Sequence, residues 1–367
     1  MNAAEKKTRV LIVDDSAFMR KVLEEIIRTD PKLEVVGQAK DGREAIAMGQ
    51  TLQPDVITMD INMPRMDGLE ATAQIMSQNP RPILIVSSES RQGAASTLRA
   101  LELGAIDFVT KPSSGIDLDM KNVRDELLGK LKMAAKVRVV RTAALHDHST
   151  TVESKSPAQP AKEIGNSEAR LPLVMIAAST GGPATLMRLV PRFPKDFPAA
   201  VVLVQHMPAT FTSQLSLQLT EVASIRVKEA ENNEALQPGI FYVCPGSHHL
   251  RISLTGRIKL DDGPRISGYR PCADVAFESA AAYGGGNVVG VVLTGMGNDG
   301  AKGVQALKAA RACVLAQDEA SSVIFGMPAE AIRTGAVNHV VGIDEMYPAI
   351  EKYLESICRH TQPIGSR

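Results

Sequence analysis

Short apolar runs alternate with stretches of helical periodicity along most of this chain, and that alternation restricts the fold more than any other feature. Runs at residues 9–15, 33–39, 55–60, 82–86 and 107–112 are too short and too uniformly apolar to be amphipathic helices. They read as strands buried on both faces. Between them apolar residues return at helical spacing, as in Met19, Val22, Leu23, Ile26 and Ile27. Helices are expected from Asp41, over 69–77, over 92–103 with Gly104 as a cap, and over 120–137. Strict βα alternation implies a parallel sheet wrapped by helices on both faces.

The pattern resumes after residue 171, with strands expected at 173–178, 198–204, 225–230, 287–294, 312–316 and 337–341. Helices are expected over 211–219, 274–283, 304–310 and 346–354. After the Pro238-Gly239 turn, the runs 240–244, 250–254 and 257–260 read as a hairpin-rich insertion beside the main sheet. Residues 141–170 contain Ser-Thr-Thr-Val-Glu-Ser-Lys-Ser-Pro-Ala-Gln-Pro and almost no large apolar side chain. Such a segment cannot bury enough surface to fold alone and reads as a flexible linker. His146 and His148 lie in it with nothing nearby to complete a metal site. The expected fold class is α/β: two doubly wound parallel-sheet domains, 8–140 and 171–360, joined by the linker 141–170. A length of 367 residues suits two cores.

Lys plus Arg equals Asp plus Glu at 41 each, so the formal net charge is zero. That balance argues against a nucleic-acid or polybasic membrane surface. The 4% of aromatic residues is low for a surface that stacks single-stranded bases. The first residues lack the apolar core of a signal peptide, and no run reaches transmembrane length. Cys244, Cys272, Cys313 and Cys358 form no Cys-x-x-Cys pair and read as reduced thiols. A cytoplasmic monomer without membrane insertion is expected.

In the first half, Asp14, Asp15, Asp60, Ser87 and Lys111 all sit at the C-terminal ends of expected strands. In an open parallel sheet those ends share one edge, where ligands bind. Each acid could cap the next helix. Capping does not account for five converging polar groups, one of them a lysine. Crowded carboxylates suit a hard cation such as Mg²⁺. Through Val13-Asp-Asp15, Met59-Asp-Ile-Asn-Met-Pro64, Val86-Ser87 and Thr110-Lys-Pro112, this third of the chain resembles the receiver domain of two-component response regulators, a flavodoxin-like fold. The resemblance implies that Asp60 accepts a phosphoryl group from a histidine kinase. It also implies that Asp15, Asp60 and the Asn62 carbonyl bind Mg²⁺, assisted by Asp14. Ser87 and Lys111 would hold the phosphoryl oxygens, and Ser87 and Phe108 would reorient.

In the second half, the strand at 173–178 runs into Ser179-Thr-Gly-Gly-Pro183. Proline suits the start of a helix, whose free N–H groups would face the turn. Ser179 could be a nucleophile beside an oxyanion site, part of a phosphate-binding turn, or a plain N-cap. His206 and Asp299 end two other strands, 206 − 179 = 27 and 299 − 206 = 93 residues further on. A serine, a histidine and an aspartate on one edge would serve acyl transfer. Asp261, Asp262 and Asp274 are rival acids. His248-His249 is a rival pair, though neighbours on a strand face opposite ways.

Ala178-Ser-Thr-Gly-Gly-Pro183, Gln205-His-Met-Pro208, Cys244-Pro-Gly-Ser-His-His249 and Leu293-Thr-Gly-Met-Gly-Asn-Asp-Gly300 resemble the effector domain of the chemotaxis protein-glutamate methylesterases. The receiver-linker-effector order does so too. The resemblance implies a Rossmann-like esterase domain with Ser179 as nucleophile, His206 as general base and acid, and Asp299 as its partner. The N–H groups of Thr180 and Met296 would be the oxyanion donors. It implies a phosphorylation-activated serine esterase, free of cofactor in the esterase site. Its substrate would be glutamate γ-methyl esters on chemoreceptor cytoplasmic helices, with deamidation of receptor glutamines as a second activity. The unphosphorylated receiver would cover the active site. One position departs from the family pattern: Ala177 stands where the first glycine of Gly-Ala-Ser-Thr-Gly-Gly is usual. The rival classes are a non-enzymatic response regulator that binds an anion or a partner at its glycine-rich turn, and a DNA-binding output.

Overall fold

The computed structural model describes residues 6–88, 90–111, 117–137 and 170–361. The expected linker therefore lies outside the described residues, except for Arg170. The first half contains β1 (Thr8–Val13), α1 (Ala17–Arg28), β2 (Leu33–Ala39), α2 (Gly42–Leu52), β3 (Val56–Met59), α3 (Gly68–Gln78), β4 (Ile83–Ser87), α4 (Arg91–Glu102), β5 (Asp107–Thr110) and α5 (Asp117–Ala134). Its strands form one parallel sheet in the order β2-β1-β3-β4-β5. The starts of α1 to α4 are set locally. Ser16, Asp41, Asp67 and Ser90 each accept a hydrogen bond from the backbone N–H three residues on. Such caps contribute about 1 kcal/mol apiece.

The second half contains β6 (Leu173–Ala178), α6 (Gly182–Leu189), β7 (Ala200–Gln205), α7 (Ala209–Val222), β8 (Arg226–Glu229), β9 (Ile240–Val243), β10 (His249–Ile252) and β11 (Ile258–Asp261). There follow α8 (Ala273–Gly284), β12 (Val288–Val292), α9 (Ala301–Ala309), β13 (Cys313–Gln317), α10 (Met327–Arg333), β14 (His339–Val341) and α11 (Ile343–Thr361). Seven strands form a parallel sheet in the order β14-β13-β12-β6-β7-β9-β8. Every residue of β6, β7, β12 and β13 is buried. Each large aliphatic side chain so covered contributes roughly 1.5–3 kcal/mol.

Two expectations need correction. Residues 240–244 do not belong to a hairpin insertion. β9 pairs in parallel with β7 and β8 inside the main sheet, in the register Val201↔Phe241 and Val227↔Phe241. Only β10 and β11 form the antiparallel hairpin. The Pro238-Gly239 turn is a local signal, whereas the parallel pairing joins Phe241 to residues 241 − 201 = 40 and 241 − 227 = 14 positions away. Helix α10 was not expected at all. Gly326 and Pro328 look like breakers, yet Pro328 sits in the first turn, where its missing N–H costs nothing.

The two halves are packed together. Phe108, the second residue of β5, stacks on Phe211 of α7, with ring centroids 4.1 Å apart and planes 13° from parallel. Both rings belong to one apolar cluster that runs through the two halves.

Candidate active site

Sheet register brings the second half's polar residues together. Ala178 pairs with Gln205 and Ala177 with Val292, so β6, β7 and β12 end level with one another. The ladder continues into the loops. His206 N–H donates to the Ala178 carbonyl at 3.1 Å, and Ser179 N–H to the Thr294 carbonyl at 3.0 Å. The β6/β12 boundary is where the strand order reverses, the usual site of a ligand crevice. Gly181, at φ 77, turns the chain from β6 into α6. A Cβ there would lie 2.5 Å from Cβ of Val323, so only glycine fits the turn. Ala177 is fully buried between Val204 and Val292, and its carbonyl still accepts from Leu293 at 2.9 Å. Its methyl group therefore fits the sheet.

His206 Nε2 lies 2.8 Å from Oδ2 of Asp299. Asp299 is buried and also accepts from the backbone N–H groups of Ala273 (2.6 Å), Asp274 (2.9 Å) and Gly300 (3.0 Å). The Cys272 thiol donates to it at 3.2 Å. Burial pushes the Asp299 carboxyl up, but the His206 and backbone hydrogen bonds outweigh it and hold the group below the usual carboxylate range. With Nε2 committed to Asp299, the other ring nitrogen, Nδ1, is buried and has no partner among the described residues. Ser179 Oγ is not hydrogen-bonded to His206. The N–H groups of Thr180 and Met296 likewise find no acceptor among the described residues.

The carboxylates of two of the three rival acids are engaged elsewhere. Asp274 accepts from Gly303 N–H at 2.8 Å, at the start of α9, and Asp261 from Gly263 N–H at 2.8 Å in its own turn. The Asp262 carbonyl holds Arg270. His249 Nε2 bonds the Pro264 carbonyl and His248 Nδ1 the Gly246 carbonyl, so the two rings serve different loops. Cys272, Asp274 and Asp299 are close enough together to suggest a metal trio. However, burial and then Asp299 push the Cys272 thiol up to about 12, and the protonated thiol acts as a donor.

In the first half, Asp14, Asp15 and Asp60 present carboxylate oxygens within 4.8 Å of one another, with Asp14 and Asp60 buried and Asp15 exposed. Three hard oxygen donors could hold a hard cation. Lys111 Nζ reaches Asp14 Oδ2 and Asp60 Oδ2, both at 2.9 Å. Burial, followed by the nearby Asp14, raises the Asp60 carboxyl, and Lys111 only partly opposes this. Burial also pulls the Lys111 ammonium down, but hydrogen bonds to Asp14 and Asp60 outweigh it and leave the group raised. Ser87 is buried, with its hydroxyl 3.3 Å from the Gly93 carbonyl. Asn62 is exposed immediately beyond this edge.

Comparison with known proteins matches residues 174–350 to the CheB methylesterase family and residues 10–121 to the response regulator receiver domain. The chain is 45% identical over 362 residues to the protein-glutamate methylesterase/protein-glutamine glutaminase of Pyrococcus horikoshii, covering 96% of this chain and 95% of that one. It is 44% identical over 353 residues to the protein of the same name from Symbiobacterium thermophilum, with 95% and 97% covered. The chain belongs to the CheB methylesterase family. The solved catalytic domain of Thermotoga maritima CheB methylesterase is 37% identical, with a TM-score of 0.48, covering 52% of this chain and all of that one. Among the described residues no helix is long and apolar enough to cross a membrane.

In this CheB-family chain, sequence reasoning missed the contacts that join the two halves. Asp107 of β5 accepts from Thr180 Oγ1 at 2.5 Å, and Thr180 is the residue after Ser179. Lys130 of α5 braces Asp107 at 3.1 Å and also donates to the Phe108 carbonyl. Burial pulls the Lys130 ammonium down, but Asp107 and Glu126 outweigh it and hold it raised. Tyr269, also missed, stacks on the His206 ring. Neither motif nor periodicity marks Asp107, Lys130 or Tyr269, because their contacts form across long chain separations.

Proposed function

We propose that this protein hydrolyses glutamate γ-methyl esters on chemoreceptor cytoplasmic helices, releasing methanol, and deamidates receptor glutamines by the same route. Phosphorylation of its receiver controls both activities. The observation that carries this reading is the buried His206–Asp299 pair at the strand-end edge that also bears Ser179, in a chain whose relatives carry the methylesterase/glutaminase name. Ser179 Oγ attacks the ester carbonyl while Nδ1 of His206 takes its proton, since Nε2 is committed to Asp299. Asp299 fixes the histidine tautomer and stabilises its charged form. The Thr180 and Met296 N–H groups, without acceptors among the described residues, stabilise the tetrahedral oxyanion. The C–OCH₃ bond then breaks, and methanol leaves with the histidine's proton. Water attacks the acyl-enzyme, His206 again shuttling the proton, and glutamate and free Ser179 result. With a glutamine substrate the leaving group is ammonia.

The proposed organisation is a receiver at 8–140, a linker at 141–170 and a catalytic domain at 171–360. Asp60 is the phosphoryl acceptor and a histidine kinase the donor. Asp14, Asp15, Asp60 and the Asn62 carbonyl are the residues that would hold Mg²⁺, which offsets the charge of the incoming phosphoryl group. The oxygen-only donor set fits that ion. Lys111 would turn from the carboxylates to the phosphoryl oxygens, joined by Ser87. The packing of β5 against the Ser179 turn and against α7 supports inhibition by the unphosphorylated receiver.

The test is methanol release from methylated receptor membranes. Ser179→Ala is expected to abolish it; unchanged release would sink the nucleophile assignment. Equal stimulation of wild type and Asp60→Asn by a small-molecule phosphodonor would remove Asp60 from control.

A further inference from the structure

The catalytic histidine of the reading above is held by a single hydrogen bond, from Nε2 to Asp299. Among the described residues its Nδ1 has no partner to fix the ring's rotation about that bond. What fixes the ring is a face. Tyr269 lies over the imidazole with centroids 4.3 Å apart and planes 19° from parallel. We infer that Tyr269 is a positioning residue for His206, holding the imidazole plane so that Nδ1 stays aimed at Ser179. The inference rests on the reading of His206 as the general base.

Tyr269 is itself rigidly held. Tyr269 N–H donates to the Ile266 carbonyl at 2.9 Å, and Ile266 N–H to the Tyr269 carbonyl at 3.0 Å. Ser267 and Gly268 between them have φ 52 and 89, as in the primed two-residue turns that close tight hairpins. On its far side the phenol meets backbone: a Cβ on Gly297 would lie 2.3 Å from Tyr269 Oη. Three residues further along the same segment, Cys272, Ala273 and Asp274 supply three of the donors that grip Asp299. One stretch of chain thus holds the histidine by its face and the aspartate by its oxygens. An imidazolium formed during turnover rests on an electron-rich ring whose face attracts the positive charge.

The role assigned belongs to the aromatic ring, not the hydroxyl. Wild type, Tyr269→Leu, Tyr269→Ser, Tyr269→Phe and His206→Ala are compared as full-length proteins with a small-molecule phosphodonor. kcat and KM are read from methanol release by methylated receptor membranes. Tyr269 is only half-buried, and melting temperatures check that each variant folds. Both non-aromatic variants are expected to lose about tenfold in kcat with KM within about twofold. Phenylalanine is expected to restore kcat to within about twofold. A non-aromatic variant that folds and keeps wild-type kcat overturns the inference, as does a phenylalanine variant as slow as leucine, or a loss confined to KM. His206→Ala separates the two claims. If it is inactive while Tyr269→Leu is normal, only the positioning role falls; if it is fully active, the reading of His206 falls as well.

Discussion

Asp107→Ala tests the contact between receiver and catalytic turn most directly. The carboxylate accepts from Thr180 Oγ1 at 2.5 Å, and its side chain is 10% exposed. A hydrogen bond to a charged group at such a site contributes about 1.5–3 kcal/mol. Lys130 would keep the Glu126 carboxylate (2.8 Å) and the Phe108 carbonyl (2.6 Å), so the receiver should still fold. The Thr180 bond is lost from the docked state alone, whereas the Phe108 N–H and Lys130 contacts are lost from the receiver in both states. Taking about 2 kcal/mol, the docked-to-open ratio drops roughly 30-fold at 1.36 kcal/mol per decade. The assay is basal methanol release in an Asp60→Asn background, which removes phosphorylation as a variable. Turnover should rise by up to about 30-fold, with the phosphorylated wild-type rate as its ceiling. A basal rate within about twofold of Asp60→Asn alone would show that this contact does not hold the enzyme closed.

Asp299→Asn should lower kcat by about 10³–10⁴-fold in the same assay, because the amide cannot stabilise an imidazolium. Burial raises the Asp299 carboxyl, but its hydrogen bonds to His206 and to the backbone hold it below the usual carboxylate range, so its contribution to stability is full above that range. The melting-temperature gap between wild type and Asp299→Asn should accordingly close as pH falls below about 4 towards the folded pKa; a constant gap down to pH 2 would contradict this. Cys272 and Cys313, both buried and pushed up to about 12, and Cys244, pushed higher still, should resist iodoacetamide at pH 8 in the native protein. Peptide mapping that found any of the three rapidly alkylated would refute the burial argument.

The strands were legible because parallel strands covered on both faces need nothing but apolar residues. Leu173–Ala178, all buried, is bounded in sequence where it is bounded in space. Where the chain was misread, pairing was non-local or punctuation misleading. β9 follows a turn that suggests a hairpin but inserts between β7 and β8. The candidate triad could be proposed from sequence because Ser179, His206 and Asp299 each follow a strand, and strand ends of a parallel sheet share an edge. Tyr269 and Cys272 follow no main-sheet strand. Their positions depend on how the segment after β11 folds back, which no periodicity records.

The same distinction explains why the residues of the junction could not be named from sequence, although the resemblance implies that the receiver covers the active site. β5 is four residues long and rises about 3.3 Å per residue. Its first residue, Asp107, holds Thr180 beside the candidate nucleophile. Phe108 stacks on α7, and Lys111, one residue past its end, bonds Asp14 and Asp60. The two polar edges are therefore separated by the length of one strand hydrogen-bonded to β4. A strand in a packed sheet shifts as a unit, because its backbone bonds and buried side chains admit few intermediate positions. A phosphoryl group that drew Lys111 away from Asp14 and Asp60 would thus load the same segment that holds Thr180 and Phe211. In sequence, Asp107 looks like an ordinary polar residue, and Phe108 is marked only through the receiver resemblance. Only the packing of β5 against the second half brings them to Thr180 and Phe211.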